Sequence, residues 1–238
     1  MLEIDSLHTH YGPSHIVQGI DLVAAQGEVV GIFGRNGVGK TTLLKTIAGW
    51  IKPSAGEIHF AGLRIDGQSA DHISRAGVGF VPEDRRIFSD LTVRENLDIG
   101  RQPPRRHRDG RPAPSWTPEK LFAIFPNLGG MLERRGAHMS GGEQQMLTVA
   151  RTLMGNPLLV LLDEPSEGVA PVIVEQMANA IVELTKEGLS VLLSEQNIHF
   201  AELVSDRVYV LEKGQLQWQG RMAELAGDVT AQRSFLSV

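Results

Sequence analysis

Apolar and polar residues alternate at the start of the chain, through Leu2, Ile4 and then Leu7. A period of two predicts a strand with two distinct faces, ending near His10-Tyr11-Gly12-Pro13. A second strand is expected over residues 19–24. The turn Gln26-Gly27 separates it from the run Glu28-Val29-Val30-Gly31-Ile32-Phe33, a strand buried on both faces. Leu43-Leu44-Lys45-Thr46-Ile47-Ala48 begins a helix, and Lys52-Pro53-Ser54-Ala55-Gly56 breaks the chain. A short antiparallel ribbon over 57–65, a helix over 69–76 and a buried strand over 78–81 follow. Beyond Pro82 the pattern turns helical. Thr92-Val93-Arg94-Glu95 reads as a capping box opening a helix through Ile99. Further helices are expected over 119–125 (stopped by Pro126), over 131–135 and over 146–154. The period then returns to strand and helix in alternation: strands at 158–163 and 190–194, helices at 171–187 and 197–204. A hairpin of 207–211 with 215–219 closes the pattern. Alternating strands and helices imply a largely parallel sheet covered on both faces.

Composition narrows the class without naming it. A chain of 238 residues, 42% hydrophobic and 21% charged, can bury a full α/β core. A net charge of −5 argues against a surface built to grip a nucleic-acid backbone. With no cysteine, neither disulfides nor a thiolate metal site is available. The N-terminal residues show no basic and apolar leader pattern, so no signal peptide is expected. The longest aliphatic run, 158–162, is far too short to span a bilayer. The expectation is a soluble chain that reaches a membrane only through a partner. The segment 101–114 is rich in proline and arginine; it reads as a solvated loop between helices rather than a contact for lipid headgroups or RNA. His8 and His10 share one strand face and the other histidines are scattered, which gives no metal constellation.

Three motifs carry chemistry. Gly34-Arg35-Asn36-Gly37-Val38-Gly39-Lys40-Thr41-Thr42 fits G-x-x-x-x-G-K-[ST], placed between a strand and a helix. Its glycines let successive backbone N–H groups aim at one polyphosphate, and the helix N-terminus adds positive potential. Lys40 is expected on the β- and γ-phosphates and Thr41 on Mg2+. The strand 158–162 delivers Asp163 and Glu164 at its C-terminal end, where open parallel sheets bind ligands. Asp163 suits Mg2+, and Glu164 suits the task of orienting and deprotonating an attacking water. In Met139-Ser140-Gly141-Gly142-Glu143-Gln144-Gln145, Ser140 caps a helix while two glycines bare backbone N–H groups.

The order of these three motifs resembles that of an ATP-binding cassette (ABC) ATPase across essentially the whole chain. The resemblance implies an α/β P-loop NTPase fold with a mostly parallel core sheet, an N-terminal antiparallel β subdomain and an inserted helical subdomain. It places the core, with its antiparallel β subdomain, at residues 1–89 and 156–238, and the helical insert at 90–155. It implies that Tyr11 stacks on adenine. It also implies that two cassettes pair head to tail, Ser140, Gly141 and Gly142 of one completing the ATP site of the other. Val81-Pro82-Glu83-Asp84-Arg85-Arg86-Ile87-Phe88, Glu164-Pro165-Ser166-Glu167-Gly168-Val169-Ala170-Pro171 and Ser194-Glu195-Gln196-Asn197 are similar to the second ATPase of bacterial importers for branched-chain amino acids, with urea and short-chain amide importers as near relatives. The implied partners are a sister cassette (a homodimer in isolation being the alternative), two membrane permeases and, through them, a periplasmic binding protein. The implied location is the cytoplasmic face of the inner membrane.

Two positions depart from the general pattern of that family. Glu83 stands where most cassettes have glutamine; it is expected to ligate Mg2+ and face the permease, with Arg85 or Arg86 offsetting its charge. Gln196 stands where most have a histidine near the γ-phosphate; its amide donates a hydrogen bond but takes no proton, which places more catalytic weight on Glu164. A soluble ABC-type ATPase of DNA repair or translation is the alternative of another class; such chains usually have twin cassettes or a long coiled-coil insertion, both missing here.

Overall fold

The computed structural model describes residues 1–227. Strands β1 (Leu2–Tyr11), β2 (Ser14–Ala24), β4 (Ala55–Phe60) and β5 (Leu63–Arg64) form an antiparallel sheet in the order β2-β1-β4-β5. Between its second and third strands in sequence run β3 (Val29–Phe33) and helix α1 (Lys40–Ile47). Helix α2 (Ala70–Ala76) then leads to β6 (Val78–Val81).

A second sheet has the order β10-β9-β3-β8-β7-β6, built with β7 (Leu159–Asp163), β8 (Ser190–Glu195), β9 (Arg207–Glu212) and β10 (Gln215–Arg221). All its pairings are parallel except the β9–β10 hairpin. Within β7 the faces alternate. Leu159 and Leu161 pack under α1 and the antiparallel sheet, whereas Val160 and Leu162 pack under the helices on the opposite side. This is the two-sided burial that an unbroken aliphatic run predicts, each such side chain contributing roughly 1.5–3 kcal/mol. Parallel register has a functional result: Phe33 pairs with Glu195 and Asp163 with Ser194, so three strands end together at one edge.

Between β6 and β7 lie α3 (Val93–Gly100), α4 (Pro118–Ile124), the single turn α5 (Pro126–Gly129) and α6 (Gly141–Leu153). Helices α7 (Pro171–Lys186), α8 (Ile198–Val204) and α9 (Met222–Gly227) complete the described chain. Helix α3 carries the expected capping box, Thr92 with Glu95.

Several local expectations are corrected. Residues 131–135 form turns, not a helix, because the carbonyls of Leu132 and Arg134 accept the free N–H groups of Arg94 and Val93 at the start of α3. Helix α4 does end before Pro126, at Ile124, and Pro126 then starts a separate turn, α5, its missing N–H being harmless in a first turn. Helix α6 begins at Gly141 rather than 146, and β2 begins at Ser14 rather than 19. Segment 101–117 has no helix and residues 101–112 are largely exposed, as a solvated loop between helices requires, but the segment is also tied down. The Arg105 guanidinium donates to the carbonyls of Asn156 (2.9 Å), Ser74 (3.1 Å), Gly155 (3.4 Å) and Arg75. Buried Asn156 accepts from Trp116 N–H (2.7 Å) and donates to the Gln102 carbonyl (2.6 Å). The segment is a strap laced to α2 and to the end of α6.

Candidate functional site

The glycine loop leaves β3 and enters α1 as its motif requires. At Gly34, φ is +148°, and a Cβ there would lie 2.4 Å from the Leu211 carbonyl oxygen, so only glycine fits. Lys40, 3% exposed, donates to the carbonyls of Gly34 (2.7 Å) and Arg35 (3.2 Å) and pairs with Glu164 Oε1 at 3.0 Å. Tyr11, Asn36, Gly37, Gly39, Lys40, Thr41, Thr42, Glu83, Glu164 and Glu167 all border one cleft of ≈ 460 Å³. Tyr11 is half exposed there, as a stacking platform must be. Val38 packs beside the core under the antiparallel sheet and holds the loop closed, its N–H reaching the Arg35 carbonyl (3.4 Å).

The ends of β7 and β8 supply the carboxylates. Asp163 Oδ1 accepts from Thr41 Oγ1 (2.9 Å) and Ser194 Oγ (2.7 Å). Its Oδ2 is buried with no hydrogen-bond partner. Burial pushes the Asp163 carboxyl up, against the hydrogen bonds from Ser194 and Thr41. An orphaned carboxylate oxygen beside a threonine hydroxyl, at a cleft that Glu83 also borders, offers all-oxygen donors that suit Mg2+, a hard cation. Among the described residues no cluster of three or more histidine, cysteine or acidic side chains forms a separate metal site. His8, His10 and His15 instead lie together on the β1–β2 hairpin, His10 stacked on His15 at 4.1 Å.

Glu164 has φ +47°, an unusual backbone for this residue, held by bonds from its N–H to the Ser194 hydroxyl and carbonyl (both 3.1 Å). Gln196 Nε2 donates to Glu164 Oε2 (2.8 Å) and to Asn36 Oδ1 (2.7 Å), tying the carboxylate to the glycine loop. Burial raises the Glu164 carboxyl, but hydrogen bonds with Glu167 and Gln196 and the charge of Lys40 outweigh it. The net direction is below the usual value, which favours the ionised form. Glu167 is pushed up to about 7 by its hydrogen bond to Glu164, by burial and by neighbouring carboxylates.

Helix α6 carries the third motif. Ser140 accepts from Glu143 N–H (3.3 Å) and Glu143 accepts from Ser140 N–H (2.7 Å), a complete capping box. The two glycines serve different neighbours. A Cβ on Gly142 would meet Ile173 at 2.7 Å, and one on Gly141 would meet the Arg85 guanidinium at 2.7 Å. Ser140, Gly141 and Gly142 do not border the cleft around Lys40.

Three residues with roles here escaped individual attention in the sequence: Ser194, Glu195 and Glu167. Glu195, only 2% exposed, accepts the backbone N–H groups of Ser166 (3.0 Å), Gln196 (3.0 Å) and Asn197 (3.1 Å) and so joins the two site loops. A carboxylate closing a buried strand was the available signal. The two arginines offered as counter-charges to Glu83 part ways. Arg86 pairs with Asp84 (2.8 Å) and covers the Trp50 ring (4.7 Å), whereas Arg85 turns to Gly141.

A P-loop on one parallel-sheet edge, paired carboxylates beside it and a capped glycine helix apart from it define an ATP-binding cassette ATPase coupled to transport. The chain belongs to the ABC transporter family, whose model matches residues 17–167. It is similar to the high-affinity branched-chain amino acid transport ATP-binding protein BraG of Pseudomonas aeruginosa, 40% identical over 216 residues and covering 91% of each chain. It is also similar to the lipopolysaccharide export system ATP-binding protein LptB of Haemophilus influenzae, 30% identical over 99% of this chain and 97% of that one. Among solved structures, a nucleotide-free ATP-binding cassette from an ABC transporter superposes with a TM-score of 0.81 at 26% identity, covering 97% and 96% of the two chains. Among the described residues no helix is long and apolar enough to cross a membrane.

Proposed function

We propose that this chain is the ATP-hydrolysing subunit of a bacterial importer for branched-chain amino acids, working at the cytoplasmic face of the inner membrane. The observation that carries the reading is the meeting of Lys40, Glu164 and Gln196, with 3.0 Å and 2.8 Å contacts, beside the Thr41–Asp163 pair. In this reading Tyr11 stacks on adenine while Gly34, Arg35, Asn36, Gly37, Val38, Gly39, Lys40, Thr41 and Thr42 cradle the phosphates. Thr41, Asp163 and Glu83 would hold Mg2+, which neutralises phosphate charge when bound. Glu164, ionised, takes the proton of the attacking water, and Gln196 fixes its orientation without itself titrating. Ser140, Gly141 and Gly142 serve the ATP of a second cassette, a sister subunit in the assembly and a second copy in isolation.

The substrate reading rests on the likeness to BraG, at higher identity than to the exporter relative, and on Glu83 and Gln196, where exporters generally keep glutamine and histidine. Two permeases, with a periplasmic binding protein acting through them, complete the proposed assembly. The exposed Phe88 and Ile99, bordering a cleft of ≈ 600 Å³ between α2 and α6, support the reading of a permease contact on that side. The test is to purify the assembly through this chain and measure which solute, presented by its binding protein, stimulates ATP hydrolysis. Leucine, isoleucine or valine is the expected answer, and stimulation by urea or an amide instead would reject the substrate. Glu164→Gln should keep ATP binding while turnover drops at least about 100-fold; substantial remaining hydrolysis would remove Glu164 from its role.

A further inference from the structure

Arg85 and Arg86 both have positive φ, +61° and +49°, a backbone rare for two consecutive non-glycine residues. Helix α6 holds them there: Thr148 Oγ1 donates to the Arg85 carbonyl (2.9 Å) and Arg151 Nη2 to the Arg86 carbonyl (2.7 Å). The kink sends the two side chains in opposite directions. Arg86 goes outward to Asp84 and Trp50. Arg85 comes to rest against Gly141, within 2.7 Å of where a Cβ would stand, and its Nη2 lies 3.7 Å from the same point on Gly168.

This arginine is half-buried and has no hydrogen-bond acceptor or carboxylate for its guanidinium among the described residues. Of the nearby acids, Asp84 is engaged with Arg86, Glu143 with the Ser140 N–H and Arg134, and Glu167 with Glu164, and neither these nor Glu83 forms an ion pair with Arg85. Gly141 is the first residue of α6, where backbone N–H groups concentrate positive potential. A guanidinium placed there adds like charge to like, which a bound anion would relieve. Arginine is the side chain best shaped for phosphate oxygens.

We propose that Arg85 is a further ATP-binding residue, acting in trans: its guanidinium contacts the γ-phosphate of the nucleotide held by the opposing cassette, beside Gly141. Arg85 does not border the cleft around this chain's own Lys40, which is why the contact is assigned across the interface. At Gly168, four residues after Glu164, the same side chain also faces the loop that leaves this chain's own Glu164. It thereby stands between the two ATP sites. The proposal rests on the shared-site reading above.

The experiment compares the complex purified through this chain with its Ser140→Arg, Arg85→Gln and Arg85→Lys forms, measuring steady-state hydrolysis and the binding of ATP and ADP. Ser140→Arg is expected to abolish turnover, which establishes the shared site. Arg85→Gln should raise KM for ATP and lower kcat, each about ten-fold, and weaken ATP binding while leaving ADP binding unchanged; Arg85→Lys should recover part of both. If Ser140→Arg is inactive but Arg85→Gln stays within about two-fold of wild type, the shared site stands and Arg85 has no part in it. Equal weakening of ATP and ADP, or a lowered urea midpoint accounting for the loss, would make Arg85 a structural residue and overturn the proposal. Full activity of Ser140→Arg would overturn the shared site and the proposal together.

Discussion

Removing the Glu195 carboxylate tests whether one buried group holds the two site loops. Its three acceptor bonds are not equal in what their loss leaves behind. Ser166 is buried, so its N–H would be orphaned, at about 1–3 kcal/mol. Gln196 and Asn197 are exposed, so water replaces the carboxylate on their N–H groups, and roughly 0.5 kcal/mol or less is lost at each. Glu195→Ala should therefore destabilise the fold by about 2–4 kcal/mol, counting the lost packing. Glu195→Gln, which keeps one carbonyl acceptor, should lose about 1–2 kcal/mol. The assay is urea unfolding followed by tryptophan fluorescence, read as a shift in midpoint at constant slope. Burial also raises the Glu195 carboxyl above its ordinary value despite those hydrogen bonds. A folded value above the unfolded one means that the group's contribution is present at acid pH and fades as pH rises through the folded value. The gap between wild type and Glu195→Gln should accordingly move in favour of wild type as the pH is lowered from neutrality. A Glu195→Ala protein within about 0.5 kcal/mol of wild type would refute the reasoning, since an orphaned buried N–H alone exceeds that.

Glu167, raised to about 7 beside Glu164, gives the same sign at a different pH. The urea midpoint of wild type, measured against Glu167→Gln without nucleotide, should fall as pH rises from about 6 to about 8; parallel profiles would show that the two carboxyls share no proton. Asn156→Ala removes one buried and one partly buried hydrogen bond and a non-glycine residue type suited to φ +48°, so a loss of about 2–4 kcal/mol is expected in the same urea assay, and a loss under about 1 kcal/mol would show that the strap is not held there.

What was legible in the sequence is what local spacing encodes. The aliphatic runs ending at Phe33 and Asp163 marked two central strands, and the glycine loop, Lys40 and Glu164 stood out as candidates because their chemistry is contiguous or lies at a strand end. Ser194 and Glu195 were not assigned because their partners, Asp163, Ser166 and Glu164, lie about thirty residues away, joined only by parallel register. The helix expected at 131–135 failed for a related reason: its carbonyls are used by α3, a tertiary demand that propensity does not contain. Arg85 and Arg86 are identical in the sequence, and only the two left-handed backbone positions give them opposite surroundings.

The Arg105 strap has a mechanical consequence. It gathers the carbonyls of Gly155 and Asn156, just beyond the C-terminal end of α6, together with those of Ser74 and Arg75 on α2. One end of a 13-residue helix is thus pinned to the core. At about 1.5 Å per residue the helix spans about 20 Å, from Arg105 at one end to Ser140 at the other. A tilt of about 10° around the Arg105 end would carry the Ser140 end by about 3.5 Å, which is the difference between a hydrogen bond made and one broken. A small rotation at the strap would therefore be enough to shift the surface that Ser140 and Gly141 present by the reach of a hydrogen bond.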